Sequence, residues 1–266
     1  MAFKERYGPW ALVTGASAGI GAEFAAQLAG MGLNLVLLAR RKQRMEDLAQ
    51  QLESRNKIQT KTIVADLAQP DFLPRVIAET QSIEIGLLVN NAGFGIAGQF
   101  LDHELEKELA LLDVNCRAPL MLTHLFGRQM AKRKSGGIIF VSSISGYIVT
   151  PLVTTYAASK VYELFLAEGL GYELTKSGVD VLALCPGSTA TEFHQIAGLK
   201  PVAAMPVQPV VQLALKQLGK KRVVISGWHN RFLVWLLKLT PRSVYVPMAG
   251  RVMEKRITYH KNGCIT

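Results

Sequence analysis

Tyr156 and Lys160 stand four residues apart in Tyr156-Ala157-Ala158-Ser159-Lys160, so on a helix they share one face. A free tyrosine, with a pKa of about 10, is a poor base at neutral pH. A neighbouring ammonium favours the phenolate and draws that pKa toward working pH, which equips the pair to move a proton. A lone pair of this kind also occurs on exposed helices without any chemistry, so its context decides. The second chemistry-bearing segment is Thr14-Gly15-Ala16-Ser17-Ala18-Gly19-Ile20-Gly21. Its glycines permit a tight turn and a close approach of backbone to a pyrophosphate. A helix starting there offers unpaired N–H groups and a partial positive charge. The spacing is G-x-x-x-G-x-G, not the commoner G-x-G-x-x-G, and the segment also fits an ordinary glycine-rich turn.

These residues need a frame. Trp10–Thr14 is a short apolar run that stops at glycine, as a buried strand does. Leu33–Ala39 is a second run without alternation, as in a strand covered on both faces. Thr60–Ala65, Gly86–Asn90, Gly137–Ser143 and Val179–Cys185 read as strands three to six, and Arg222–Ser226 as a seventh. Helix-period apolar residues mark Ile20–Met31 and Arg41–Ser54, with further helices over 70–81, 103–134 and 155–177. Strands alternating with helices imply an α/β fold. The expected form is a doubly wound, mostly seven-stranded parallel sheet with helices on both faces. Pro186–Pro209, with four prolines and little periodicity, reads as a long functional loop. Residues 1–227 form one expected domain, followed by a basic, apolar, helical extension over 228–266.

The chain has 266 residues, 49% hydrophobic and 19% charged, which excludes a disordered protein. Cys116, Cys185 and Cys264 cannot form a disulfide framework and fit a reducing compartment. Residues 1–6 lack the apolar core of a signal peptide, and no run reaches the roughly 18 apolar residues of a spanning helix. The expected location is cytoplasmic, with membrane-peripheral attachment left open. None of His103, His124, His194, His229 and His260 sits in a zinc-binding pattern, so no metal site is expected. His194 lies in the long loop, where a surface histidine is the preferred reading.

The net charge of +10 is concentrated. Eleven basic residues from Lys216 to Lys261 face one acid, Glu254, while residues 1–215 carry 19 of each sign. There is no zinc-finger spacing, basic zipper or RNA-recognition signature, so no nucleic acid is expected. Phe232–Leu237 is too apolar to lie bare in water. It must cover the body, a sister subunit or a lipid surface, with peripheral membrane contact placed over 228–256. If it lies beside the 186–209 loop, it forms one wall of the substrate pocket.

In order along the chain, the glycine turn, Asp66-Leu67, Asn90-Asn91-Ala92-Gly93, Asn115, Ser143, Tyr156-x-x-x-Lys160 and Pro186-Gly187 resemble the classical short-chain dehydrogenase/reductase family. The likeness runs from about Trp10 to Gly227 and implies a Rossmann-type sheet. It implies that Ser143, Tyr156, Lys160 and Asn115 are catalytic. Tyr156 would give or take the proton, and Ser143 would hold the substrate oxygen. Lys160 would hold the nicotinamide ribose, and Asn115 a water linked to the lysine. Gly15, Ser17, Gly19, Ile20 and Gly21 would cradle the pyrophosphate. Asp66 and Leu67 would meet the adenine, though Asp66 also fits as a cap of the next turn. Asn91, Ala92 and Gly93 would pass beneath the adenosine ribose. Pro186 and Gly187 would bend around the nicotinamide, with Thr191 near the carboxamide or pyrophosphate and Thr189 its competitor.

Where an NAD-selective site carries an acid at the end of the second strand, this chain has Ala39, followed by Arg40 and Arg41. Guanidinium groups engage a 2′-phosphate with two donors, and cations at a helix start oppose the macrodipole unless an anion binds. The cofactor implied is NADP(H), with Arg40 carrying most of the selectivity. The resemblance implies an NADPH-dependent oxidoreductase that reduces a carbonyl of an apolar small molecule, such as a 3-ketoacyl or ketosteroid-like substrate, or oxidises the matching alcohol. It also implies a homodimer or homotetramer. The alternative is a catalytically idle NADP-binding regulatory protein or a membrane-associated scaffold.

Overall fold

A computed structural model describes residues 3–200 and 203–257. Seven strands form one parallel sheet: β1 (Trp10–Thr14), β2 (Asn34–Ala39), β3 (Thr60–Val64), β4 (Ile85–Asn90), β5 (Gly136–Val141), β6 (Val179–Cys185) and β7 (Val223–Ile225). Their spatial order is β3-β2-β1-β4-β5-β6-β7, so the winding reverses between β1 and β4. A crevice opens at the carboxyl ends of the strands beside such a reversal.

The sheet is covered on both faces. Leu35 and Leu37 of β2 point into one apolar cluster with Phe24, Leu28 and Val211, while Val36 and Leu38 point into the other with Phe126, Phe140 and Leu164. Successive side chains alternate faces, so a strand buried on both sides must be apolar throughout. Helices α2 (Gly19–Gly30), α3 (Lys42–Asn56) and α9 (Val207–Gln217) supply the first face. Helices α4 (Phe72–Thr80), α6 (Ala118–Arg133) and α7 (Thr154–Glu173) supply the second. The remaining helices are α1 (Phe3–Tyr7), α5 (Leu105–Leu112), α8 (Phe193–Ile196), α10 (Trp228–Leu239) and α11 (Arg242–Arg256).

Three expectations change. β5 stops at Val141, and Ser143 lies two residues beyond it, accepting a hydrogen bond at 3.1 Å from the Ser145 amide to start a tight turn. The helical stretch over 103–134 is α5 and α6 joined by a π-helical turn at Asp113–Arg117, which places Asn115 on a bulge of the kind often found at functional sites. The long loop holds α8, and α9 begins at Val207, where Pro209 is tolerated in the first turn. The extension is described as far as Ile257, so His260, Lys261 and Cys264 lie outside the described residues. Among the described residues no helix is long and apolar enough to cross a membrane.

The extension packs on the body through a few contacts. Asn230 of α10 donates to the Ser226 carbonyl at 2.7 Å and faces Gly187, where a Cβ would meet its amide at 2.4 Å. Met253 of α11 and Ile257 join Val153, Ala197 and Leu199 in a small apolar cluster. Of the apolar stretch on α10, Val234 is buried, whereas Phe232, Trp235 and Leu236 stay exposed.

Candidate active site

A cavity of about 520 Å³ opens along the carboxyl ends of the strands. That lies in the range of small-molecule sites. Every residue given a catalytic or cofactor-binding role from the sequence borders it except Gly21 and Asn115, which pack against Gly15 and Gly93 of its wall.

The floor is the glycine turn. Gly15 and Gly19 have φ of +65° and +56°, which favour glycine, and a Cβ on Gly15 would meet Ala92 Cα at 2.9 Å. A Cβ on Gly21 would collide with the Gly15 carbonyl at 2.3 Å. Helix α2 then starts without a side-chain cap at Ala18 and without an acid in its first turn, so its end keeps its positive character. Thr14 joins this turn to the next segment, since its Oγ1 accepts from the amides of Asn91 and Ala92, each at 2.9 Å. The Asn91 side chain returns a bond to the Thr14 carbonyl at 2.8 Å.

Arg40 and Arg41 border the cavity at its basic rim, which also carries a carboxylate. Arg40 is largely exposed and stands 3.7 Å from Asp66. Arg41 is held from two sides, donating to Ser17 at 3.0 Å and to Glu192 at 2.6 Å. Arg44 donates to the other oxygen of Glu192 at 2.7 Å. Glu192, from the loop before α8, had no signal of its own in the sequence, and its two guanidinium partners hold its carboxyl below the usual range. Asp66 accepts the Ala68 amide at 3.1 Å, so it caps the following turn while Leu67 and it border the cavity. Of the two threonines, Thr191 touches Gly19, whose Cβ would meet its methyl at 2.9 Å, and Thr189 bonds the Gly187 carbonyl at 3.1 Å. The Pro186 carbonyl receives the Ile144 amide at 3.0 Å, tying the bend after β6 to the Ser143 turn.

Ser143, Tyr156 and Lys160 meet at the far end of the cavity. The neighbouring Ser142 donates its hydroxyl proton to the Lys160 carbonyl at 2.7 Å. The Lys160 ammonium lies 5.7 Å from the centre of the Tyr156 ring. Burial pushes the Tyr156 hydroxyl above its ordinary pKa, and the downward pulls of Lys160 and Ser143 do not overcome it. The net direction is therefore opposite to the sequence expectation. Burial is the main cause, and Glu163, one turn along α7, adds to it in the same direction; its two oxygens lie 3.0 and 2.9 Å from Lys160 Nζ. Lys160 also donates to the Val141 carbonyl at 3.0 Å.

Asn115 is fully buried, and its side-chain amide is committed to its neighbours. It bonds the Phe94 amide at 3.1 Å, the Phe94 carbonyl at 3.0 Å and Ser159 Oγ at 3.0 Å, which pins the segment after β4 to α7. Gly93 lies within reach of both Asn115 and Lys160. Gly95, which the sequence did not single out, leaves room for Tyr156 and Phe193, whose ring centres are 5.0 Å apart.

The outer wall comes from Phe193, His194, Ile196, Leu199, Met253 and Arg256. His194 is thus a wall residue instead of a surface one, and burial followed by the Arg256 charge holds its pKa below the ordinary value. The extension does reach the cavity, but through α11 and not through Phe232–Leu237 of α10. Among the described residues no cluster of His, Cys, Asp and Glu is arranged to hold a metal.

The model of the short chain dehydrogenase family matches residues 9–200. The chain is 33% identical over 235 residues to the 7beta-hydroxysteroid dehydrogenase of Clostridium sardiniense, covering 87% of this chain and 90% of that one. It is 35% identical over 255 residues to very-long-chain 3-oxoacyl-CoA reductase-A of Danio rerio, covering 94% and 79%. Among solved structures, one determined to explain 7beta-hydroxysteroid dehydrogenase stereoselectivity superposes with a TM-score of 0.88 at 29% identity, covering 94% and 99%. A short-chain dehydrogenase from Sphingobium yanoikuyae in complex with NADPH gives 0.79 at 31% identity, covering 88% and 97%. The chain belongs to the short-chain dehydrogenase/reductase family and is an oxidoreductase of hydroxyl and carbonyl groups.

Proposed function

We propose that this protein is an NADPH-dependent reductase of apolar ketones, with Tyr156 as proton donor. The observation that carries the proposal is one cavity that is lined both by a glycine-rich, uncapped helix start with Arg40 and Arg41 beside it, and by Ser143, Tyr156 and Lys160. The residues fit the cofactor, since Gly15, Ser17 and Gly19 line the cavity beside the uncapped, acid-free start of α2, where backbone amides and a partial positive charge suit a pyrophosphate. Gly15, Ser17, Gly19, Ile20, Gly21 and Thr191 would hold that group. Asp66, Leu67, Asn91, Ala92 and Gly93 would flank the adenosine. Arg40, Arg41 and Arg44 would meet a 2′-phosphate, and Lys160, Pro186, Gly187 and Thr189 the nicotinamide side.

NADPH, when bound, would supply the hydride for the carbonyl carbon. Ser143 then holds the oxygen on which negative charge develops, and Tyr156 delivers the proton to it. Lys160 stabilises the phenolate that remains, and Asn115 positions the segment beneath it. The wall of Phe193, Ile196, Leu199 and Met253 suits an apolar substrate body. The relatives named for steroid and 3-oxoacyl substrates support a bulky or long-chain ketone. The bare faces of α10 (Trp228, Phe232, Trp235) and α7 (Phe165, Tyr172) support assembly into a homodimer or homotetramer. Peripheral lipid contact through α10 and α11 is tested by vesicle cosedimentation with and without residues 228–266. The deciding experiment is NADPH and NADH oxidation against short-chain, long-chain and steroidal ketones. NADPH-dependent turnover of apolar ketones is expected; cofactor binding without turnover of any of them would leave a regulatory protein.

A further inference from the structure

Lys160 has three donor hydrogens and three acceptors around it: the Val141 carbonyl and both oxygens of Glu163. The lysine and glutamate side chains are 5% and 2% exposed, so water screens the pair little. Such a pair is costly to bury, and hydrophobic residues of similar size often serve stability as well. Its position beside the proton donor points to chemistry. The other titratable groups about the carboxylate are Tyr156 on the same helix, Cys116 on the π-turn and Cys185 at the end of β6. None of these adds a second positive charge.

We propose that Glu163 is a positioning residue that holds the Lys160 ammonium and sets the pH at which Tyr156 gives up its proton. The inference rests on the reading of Tyr156 as donor. An ionised Glu163 opposes the field that Lys160 exerts on the phenol and so adds to burial in keeping Tyr156 protonated and ready for ketone reduction. Removing that negative charge leaves the ammonium uncompensated and favours the phenolate. Burial supports the role, since it pushes the Glu163 carboxyl up to about 7 against the pull of Lys160. Its charge therefore changes within the working range.

The test compares wild type, Glu163→Gln and Glu163→Asp in the full chain. Two quantities are read: the pH at which alcohol oxidation switches on, and the tyrosinate absorbance titration of each protein minus that of its Tyr156→Phe counterpart. Glu163→Gln should move both midpoints down by about one pH unit, and Glu163→Asp should return them toward wild type. Unchanged midpoints in Glu163→Gln, or an upward move, would overturn the proposal. If Glu163→Gln does not fold, Glu163→Asp alone decides, with a smaller downward move expected and no move contradicting it. A Tyr156→Phe protein that keeps more than a tenth of the rate rejects the tyrosine reading itself, a separate result.

Discussion

Two carboxylates are gripped by cations that border the cavity or its rim, one behind the inner wall and one at the rim, with opposite surroundings. At the inner end Glu163 meets Lys160 at 2.9 Å, with both side chains at least 95% covered. At the rim Glu192 meets Arg41 at 2.6 Å and Arg44 at 2.7 Å, with side chains 38–52% exposed. Bond length alone would rank the rim as the stronger site. Surroundings reverse the order. Exposed pairs are worth about 0–1 kcal/mol because water and salt screen them. A buried pair resists the loss of either partner by about 3–5 kcal/mol. The inner pair can thus fix a proton, while the outer set can exchange its carboxylate for another anion.

The comparison breaks first at Lys160. Lys160→Ala leaves Glu163 buried without its partner, and turnover should fall by more than 10²-fold with weakened NADPH binding. Thermal unfolding should show a loss of up to about 3–5 kcal/mol, less what Glu163 recovers by taking up a proton. A protein of wild-type stability would mean that the inner pair is not coupled to the fold.

The same pair predicts a pH slope. Glu163 has a folded pKa of about 7, above that of an unfolded glutamate. The folded state therefore binds more protons between the two values. The contribution of Glu163 to stability is full below the unfolded pKa and is lost as pH rises through about 7. Melting temperatures of wild type should fall relative to Glu163→Gln between about pH 4.5 and 7. Parallel curves would place the carboxyl in ordinary solvent.

At the rim the expected effects are smaller. NADPH should bind at least about ten-fold more tightly than NADH, or about 1.4 kcal/mol, as a charge-assisted phosphate contact permits. Arg40→Asp should shift the preference toward NADH. Glu192→Gln frees Arg41 and Arg44, so it should tighten NADPH a few-fold, leave NADH unchanged and alter stability by less than about 1 kcal/mol. Equal effects on both cofactors, measured by fluorescence titration, would remove the rim from 2′-phosphate recognition. The smallest effect belongs to the distant wall. Met253→Ala should lower kcat/KM for a long ketone several-fold more than for a short one, since only the long chain reaches α11.

Much of the frame was legible because apolar runs ended at punctuating residues. β1 stops at Gly15 and β6 stops at Pro186, and both ranges matched residue for residue. Helix α9 was hidden because Pro206 and Pro209 suggested loop, although Val210, Val211, Ala214 and Leu215 carry a helical face. The glycine turn and the Tyr156–Lys160 spacing were visible because short-range geometry dictates them. Glu163 was within reach of the same logic, three residues beyond Lys160, yet its burial is set by the tertiary fold and not by local spacing. Glu192 and Met253 were not legible at all. The partners of Glu192 lie about 150 residues away in sequence and those of Met253 about 50 to 100, and only the folded chain brings them together.

The central claim is that Tyr156 delivers the proton in this cavity. It is tested most directly by single-turnover reduction of a long apolar ketone by Tyr156→Phe, with NADPH binding measured on the same sample. Phenylalanine keeps the ring against Phe193 and deletes only the hydroxyl. The expected result is NADPH affinity close to wild type with hydride transfer slowed by 10²–10⁴-fold. Hydride transfer at more than about a tenth of the wild-type rate would contradict it.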